Sequence, residues 1–374
     1  MTPGSGPRVA VVGSGVAGAA TAFALARAGA AVTVLESGEA GAATAAGAGI
    51  VQPWASSAEG PSYELYAAGA AHYPRAVELL RDSGIDDVGY EVCGSLVVDA
   101  DSAALDAVEA RLRERTAGVA VAGTISRLSP AEAVGLFPPL AGGLGAVHVS
   151  GGARVDGRRL RSGLLAGARR HGADIRAAAA ARVVVGDRPT LLAGDERIDA
   201  DAVVVAAGAW TDRLLAGIGP ALGVEPQRGQ LVHLGLTGVD TARWPSVLPP
   251  GPSYLVPFAG GRVVAGATRE TGSGFDARIT ADGLRSVLAD ALAVAPGLAT
   301  TSVLETRVGL RPLPRSGRPV LGPLPDVPGW FVVSGLGAGG LTMGPVAGHL
   351  IAQLVLTGRP DLDLSAFAPD HPGA

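Results

Sequence analysis

The order of apolar and polar positions over the first fifty residues reads as strand, turn, helix, strand. Residues 8–12 are apolar after the leading arginine, as in a parallel strand covered on both faces. A glycine-rich turn follows, then a mostly apolar stretch over 19–28 that reads as a helix ended by Gly29, then a second apolar run over 31–35 that stops at Glu36. Further along, the pattern predicts an Arg-rich amphipathic helix at 158–171, strands at 181–185 and 203–207, and a last helix at 346–356. Two intervening segments differ: they hold alternating or β-branched runs at 94–98, 230–234 and 262–267 and charged helices at 105–115 and 282–293. The tail beyond Pro360 reads as surface structure.

Two uncharged stretches, 9–26 and 327–358 (His349 aside), are long enough to suggest membrane spans. The second carries Gly-xxx-Gly spacings at Gly335/Gly339, Gly340/Gly344 and Gly344/Gly348. Gly13, Gly15 and Gly18 interrupt the first, and Pro328, Gly329, Gly335 and Pro345 divide the second into strand, glycine turn and helix. Both are therefore expected to be buried parts of a fold with no membrane span, and no secretory cleavage pattern stands in its proper place.

Composition narrows the classes. With 374 residues, 48% hydrophobic and only 17% charged, the chain can bury a large core and is not disordered as a whole. A net charge of −4 without a basic run argues against nucleic acid as a partner. Cys93 stands alone, which excludes an intrachain disulfide or a multi-cysteine metal site and points to a reducing, cytoplasmic compartment. Histidines at 72, 148, 171, 233, 349 and 371 are scattered, so no metal site is expected. Lysine is absent, so all 30 basic residues are arginine.

The turn between the first strand and helix carries the most specific chemistry. Gly13, Ser14, Gly15, Val16, Ala17 and Gly18 form a G-x-G-x-x-G fingerprint in its proper strand-to-helix place. The first glycine permits the tight turn, the second lets a pyrophosphate approach the backbone, and the third lets helix and strand pack closely. The helix N-terminus then offers N–H groups and a positive dipole end to phosphates. Glu36 ends the second strand, where its carboxylate accepts hydrogen bonds from ribose hydroxyls and repels a 2′-phosphate, disfavouring NADP. The motif alone does not separate FAD from NAD. After Ser37, the tract 41–50 consists almost wholly of very small residues, including Thr44, Ala45, Ala46, Gly47, Ala48, Gly49 and Ile50; such a tract lets main chain lie against a flat ligand.

Later blocks occur in a fixed order: 201–210 (Asp-Ala-Val-Val-Val-Ala-Ala-Gly-Ala-Trp), 253–257 (Ser-Tyr-Leu-Val-Pro), 308–312 (Val-Gly-Leu-Arg-Pro), 317–322 and 330–343. With the fingerprint they resemble the D-amino-acid-oxidase superfamily of FAD enzymes, especially glycine oxidases and D-amino-acid dehydrogenases, from about residue 8 to 358. The resemblance implies an α/β fold: a Rossmann-type FAD-binding domain with an inserted, mainly antiparallel β-sheet substrate domain (α+β). The cofactor domain would comprise 1–57, 150–225 and 306–374, and the substrate domain 58–149 and 226–305. FAD would be held without a covalent link by the fingerprint, Glu36, Ser37 and residues 44–50, with Ala181, Ala207, Gly208, Trp210, Gly335, Gly337, Ala338, Gly339, Gly340, Leu341 and Thr342 completing the site.

The implied reaction oxidises the C–N bond of a small amino acid (glycine, a D-amino acid or an N-alkyl amino acid) to an imine by hydride transfer to flavin N5, followed by hydrolysis. Arg311 matches the family arginine that clamps the substrate carboxylate, and Tyr254 a tyrosine that faces it. Arg269, Arg307, Arg228 and His233 are weaker candidates. Ala338 stands where glycine oxidases carry an arginine and Leu336 where relatives often carry histidine, so this turn looks closer to D-amino-acid dehydrogenases. The missing lysine removes the oxygen-activating residue of monomeric sarcosine oxidases. Oxygen is the expected acceptor. The alternatives are a D-amino-acid dehydrogenase passing electrons to a quinone-type carrier and a flavoprotein subunit of a multi-chain amine dehydrogenase. An aromatic hydroxylase is disfavoured because the late segment lacks the Gly-Asp pair of that class. Assembly with further copies of the same chain is left open.

Overall fold

A computed structural model of the chain describes residues 6–177, 182–184 and 188–370. The elements used below are, in chain order, β1 (Arg8–Val12), α1 (Val16–Arg27), β2 (Ala31–Glu36), α2 (Gly60–Asp82), β3 (Ser95–Asp99), α3 (Ser102–Thr116), α4 (Gly157–Arg170), β4 (Asp174–Ala177), β5 (Ala202–Val205), β6 (Val224–Gly235), β7 (Tyr254–Phe258), β8 (Arg262–Gly266), β9 (Ser302–Pro314), β10 (Val320–Pro323), β11 (Trp330–Ser334) and α5 (Gly340–Thr357).

The apolar runs at the start of the chain form the centre of a six-stranded sheet in the order β10-β11-β5-β1-β2-β4. Its pairs are parallel, except that β10 runs antiparallel to β11. All of β5 and all of β1 beyond Arg8 are buried, because helices pack on one face and smaller sheet structure on the other. An eight-stranded sheet stands apart from it: β9-β6-β8-β7, then Ser246–Leu248, β3, Gly145–Val149 and Ile125–Leu128. It is antiparallel throughout apart from the Ser246–Leu248/β3 pair. This is the mixed α/β architecture that the sequence pattern predicts, with a Rossmann-type parallel sheet and an added antiparallel sheet.

The long apolar segments lie inside this fold. The helix Gly337–Thr357 is long and apolar enough to cross a membrane, yet most of it is buried. Its glycines serve packing: a Cβ on Gly344 would come within 2.6 Å of Val16 Cγ1, and one on Gly348 within 2.6 Å of the Ala17 carbonyl oxygen. The Gly-xxx-Gly spacing therefore brings α5 against α1 within one chain. Pro345, read as a break, lies inside α5. Proline cannot donate to the carbonyl four residues back, and that carbonyl, on Leu341, instead accepts a hydrogen bond from the Tyr73 hydroxyl on α2.

Other expectations are corrected. The tail is partly core, since Leu364 and Phe367 are buried in the apolar cluster that also holds α1 and α5. Of the strand expected at 181–185, Arg182–Val184 is described, and it pairs in a separate three-stranded sheet with Thr190–Ala193 and Glu196–Asp199.

Candidate active site

The C-terminal ends of β1, β2, β5 and β11 face the strands β6, β7 and β9 across a cleft of about 800 Å³. Ligands of open α/β sheets bind at such strand ends. At one end the cleft is made of turns. Gly13 turns the chain with φ +100°, and a Cβ on Gly18 would fall 2.0 Å from the Gly13 carbonyl oxygen, so α1 is drawn tight against the turn. The N-cap of α1, Gly15, has no side chain, and the first turn holds no acid. Thr44 Oγ1 accepts a hydrogen bond from the Val16 N–H at 2.9 Å and ties the small-residue tract to this helix end. Glu36 accepts from the Gly38 N–H at 3.1 Å and from Arg161 Nη2 at 2.8 Å. Arg161 on α4 also donates to the Ser14 carbonyl at 2.7 Å and to its hydroxyl, clamping strand end and turn together.

The other end is set by the eight-stranded sheet. Arg311 on β9 pairs in register with Gln227 on β6. It donates to Thr268 O at 2.9 Å and to Gln227 Oε1 at 3.3 Å. No carboxylate of the described residues forms an ion pair with it, whereas neighbouring Arg228 is held by Glu270 and Asp276 and Arg307 by Glu305. Burial pulls the Arg311 pKa below its ordinary value, but a guanidinium stays protonated. Tyr254 opens β7 directly across from Gly266 of β8, where a Cβ would come within 2.9 Å of the phenol oxygen. Burial raises the Tyr254 pKa, with Arg311 pulling the other way, so the phenol keeps its proton at neutral pH. Arg269 also lines the cleft.

Of the residues expected at FAD, Gly13, Ser14, Gly15, Val16, Ala17, Glu36, Ser37, Thr44, Ala46, Gly47, Ala48, Gly49, Ile50, Ala207, Gly208, Trp210, Gly337, Ala338, Gly339, Gly340 and Leu341 line the cleft. Gly18, Ala45, Gly335 and Thr342 stand behind the lining. The Ala45 carbonyl accepts from Arg158 and Arg307, and Thr342 Oγ1 donates to Ile50 O at 2.9 Å. Ala181 lies outside the described residues. The weaker candidates separate: Arg269 reaches the cleft, whereas Arg228, Arg307 and His233 do not line it.

Several lining residues carry no sequence signal. Gln52 is 3% exposed and neither end of its amide has a partner, although both atoms are buried beside the cleft. Buried amides are normally satisfied, so this one fits a ligand edge that both donates and accepts, as the heterocycle of a flavin does. Tyr66, Arg111, residues 55–58, residues 97–99 and residues 248–253 also line the cleft.

The match to known families decides what this cleft serves. Residues 8–354 match the DAO family model, described as FAD dependent oxidoreductase. The chain belongs to that family. This oxidoreductase is 43% identical to the uncharacterized oxidoreductase YurR of Bacillus subtilis (strain 168), over 96% of this chain and 97% of that protein. It is 30% identical to the glycine oxidase of Geobacillus kaustophilus (strain HTA426), over 96% of each chain. Among solved structures, iminodiacetate oxidase (IdaA) from Chelativorans sp. BNC1 superposes with a TM-score of 0.94 at 45% identity, covering 97% of this chain and 99% of that one. The chain is therefore an FAD-dependent oxidoreductase. Neither Cys93 nor any described histidine lines the cleft, consistent with a flavin held without a covalent link through either residue type.

Proposed function

We propose that this oxidoreductase oxidises a small amino acid that carries a primary or N-alkylated amine, with oxygen as terminal acceptor. The observation that supports it most directly is Arg311: a half-buried guanidinium without an ion-pair partner among the described residues, on the wall of the cleft that the fingerprint also lines. A guanidinium in that state matches a carboxylate bidentately. Arg311 would fix the substrate carboxylate, Tyr254 would donate a hydrogen bond to it, and the amine-bearing carbon would be turned toward the turn-lined end of the cleft.

Bound FAD supplies the two-electron acceptor. The substrate loses a hydride from carbon and a proton from nitrogen, giving an imine, and water hydrolyses it to an oxo acid and an amine or ammonia. We assign residues 1–57, 150–225 and 306–374 to the cofactor domain and 58–149 and 226–305 to the substrate domain, noting that β9 contributes to the antiparallel sheet from both sides of that boundary. The single cysteine fits a cytoplasmic setting.

Oxygen is favoured over a quinone-type carrier by the names of the two similar oxidases. Glycine, as in the Geobacillus relative, and iminodiacetate, as in the IdaA structure, are the first substrates to test. Anaerobic addition of either should bleach the flavin absorbance, and admitting air should restore it with release of hydrogen peroxide. Bleaching that air does not reverse would transfer the assignment to a dehydrogenase, and absence of bleaching by every amino acid with FAD bound would overturn it.

A further inference from the structure

We infer that Arg269 holds a second carboxylate, making this site selective for amino acids whose nitrogen bears a carboxymethyl group. This rests on the reading of Arg311 as the residue that holds the first. Arg269 lines the same cleft, is exposed to it, and makes no hydrogen bond or ion pair with the described residues. The arginines around it differ: Arg228 is paired with Glu270 and Asp276, Arg307 with Glu305, and Arg262 with Asp156.

Its position follows from the backbone. Arg311 donates at 2.9 Å to the carbonyl of Thr268, the residue whose peptide bond leads into Arg269. The Arg311 guanidinium therefore ends at the residue before Arg269, just past β8, close enough that Arg269 disfavours the charge on Arg311 and both arginines act on the Tyr254 phenol. Two like charges facing one cleft cost free energy; Glu270, which favours the charge on Arg311, is itself engaged by Arg228, and one dianionic ligand would relieve both. A monocarboxylate on Arg311 leaves Arg269 unpaired. An N-carboxymethyl amine places its carboxylates on opposite sides of the nitrogen, so that one can be held at Arg311 while the other reaches the cleft mouth.

The turn at the far end agrees with this assignment. Ala338 lines the cleft there and supplies no cation, so among the cleft-lining residues the guanidinium groups besides Arg311 belong to Arg269 and Arg111. Arg111 donates at 3.4 Å to the Ala55 carbonyl and stands on α3, at the side of the cleft formed by 55–58.

The test compares iminodiacetate with sarcosine, which presents a similar secondary amine and a single carboxylate. In the FAD-bound wild type the ratio of kcat/KM for iminodiacetate to that for sarcosine should exceed ten. In Arg269→Gln that ratio should fall at least tenfold, through KM for iminodiacetate, and Arg269→Lys should recover part of it. The visible spectrum of bound flavin reports that each variant is folded. An unchanged ratio in Arg269→Gln, or a loss of the ratio in Arg111→Gln instead, would overturn the inference. A wild type bleached by sarcosine or glycine but not by iminodiacetate would overturn it while leaving the Arg311 reading intact. A wild type bleached by no amino acid would bring down that underlying reading as well.

Discussion

A Cβ placed on Gly229 would fall 2.4 Å from the Nη2 atom of Arg311. The guanidinium lies over a backbone stripe that only glycine leaves free, one strand away from its own. Gly229→Ala should therefore displace Arg311 rather than disturb the flavin. We expect KM for the amino acid to rise by about tenfold or more, since a hydrogen bond to a charged group contributes about 1.5–3 kcal/mol. FAD content should be unchanged. Steady-state kinetics together with the flavin-to-protein absorbance ratio checks both halves.

At the opposite end, Arg161 joins Glu36 to the fingerprint turn. Glu36→Ala removes both the proposed ribose acceptor and the partner of Arg161, and Arg161→Met leaves Glu36 in place but free to turn. Both should weaken FAD binding, by about tenfold for Glu36→Ala. Fluorescence titration of the apoprotein with FAD measures it. Equal affinities in wild type and both variants would remove Glu36 from the cofactor site.

The contact of α5 with α1 predicts a stability effect distant from the chemistry. Gly344→Val adds atoms where even a Cβ would approach Val16 within 2.6 Å. Overpacking of this kind costs about 1–3 kcal/mol. The thermal midpoint should fall by several degrees, and since Val16 also lines the cleft, FAD affinity should fall with it. An unaltered midpoint would contradict the packing described.

His233 gives the stability a pH dependence. It is 2% exposed, and burial, reinforced by Arg307, pushes its pKa down to about 4 from 6.5. The unfolded chain therefore takes up this proton first. The contribution of neutral His233 is complete above about pH 6.5 and is lost as pH falls toward 4, amounting to about 3 kcal/mol. His72, also pushed down to about 4 by burial and by His349, acts in the same direction. Denaturant midpoints measured between pH 7 and 5 should fall, and less so in His233→Gln.

The first strand, turn, helix and second strand were legible because their spacing and chemistry are local. Each glycine of the fingerprint has a steric reason to stand where it does. Arg311 and Tyr254 were legible only through resemblance: nothing within 300–320 announces that Arg311 will meet the carbonyl of Thr268, a contact created by the pairing of β9 with β6 and of β6 with β8. Gln52, Tyr66 and Arg161 gave no signal for the same reason. Their roles arise from what the fold leaves unpaired or brings together, and single-sequence periodicity does not carry that information. The buried tail failed differently, since Leu364 and Phe367 fall in the short stretch 361–368, bounded by prolines and too brief to carry a readable period.

The most direct test of the account is anaerobic mixing of the FAD-bound protein with glycine and with iminodiacetate, run in parallel for wild type and Arg311→Met. At least one of them should bleach the wild-type flavin. The variant, with the same flavin content, should need about a hundredfold more substrate for half-maximal bleaching, as expected when one partner of a buried charged pair is truncated. Bleaching of Arg311→Met at wild-type concentrations would contradict it.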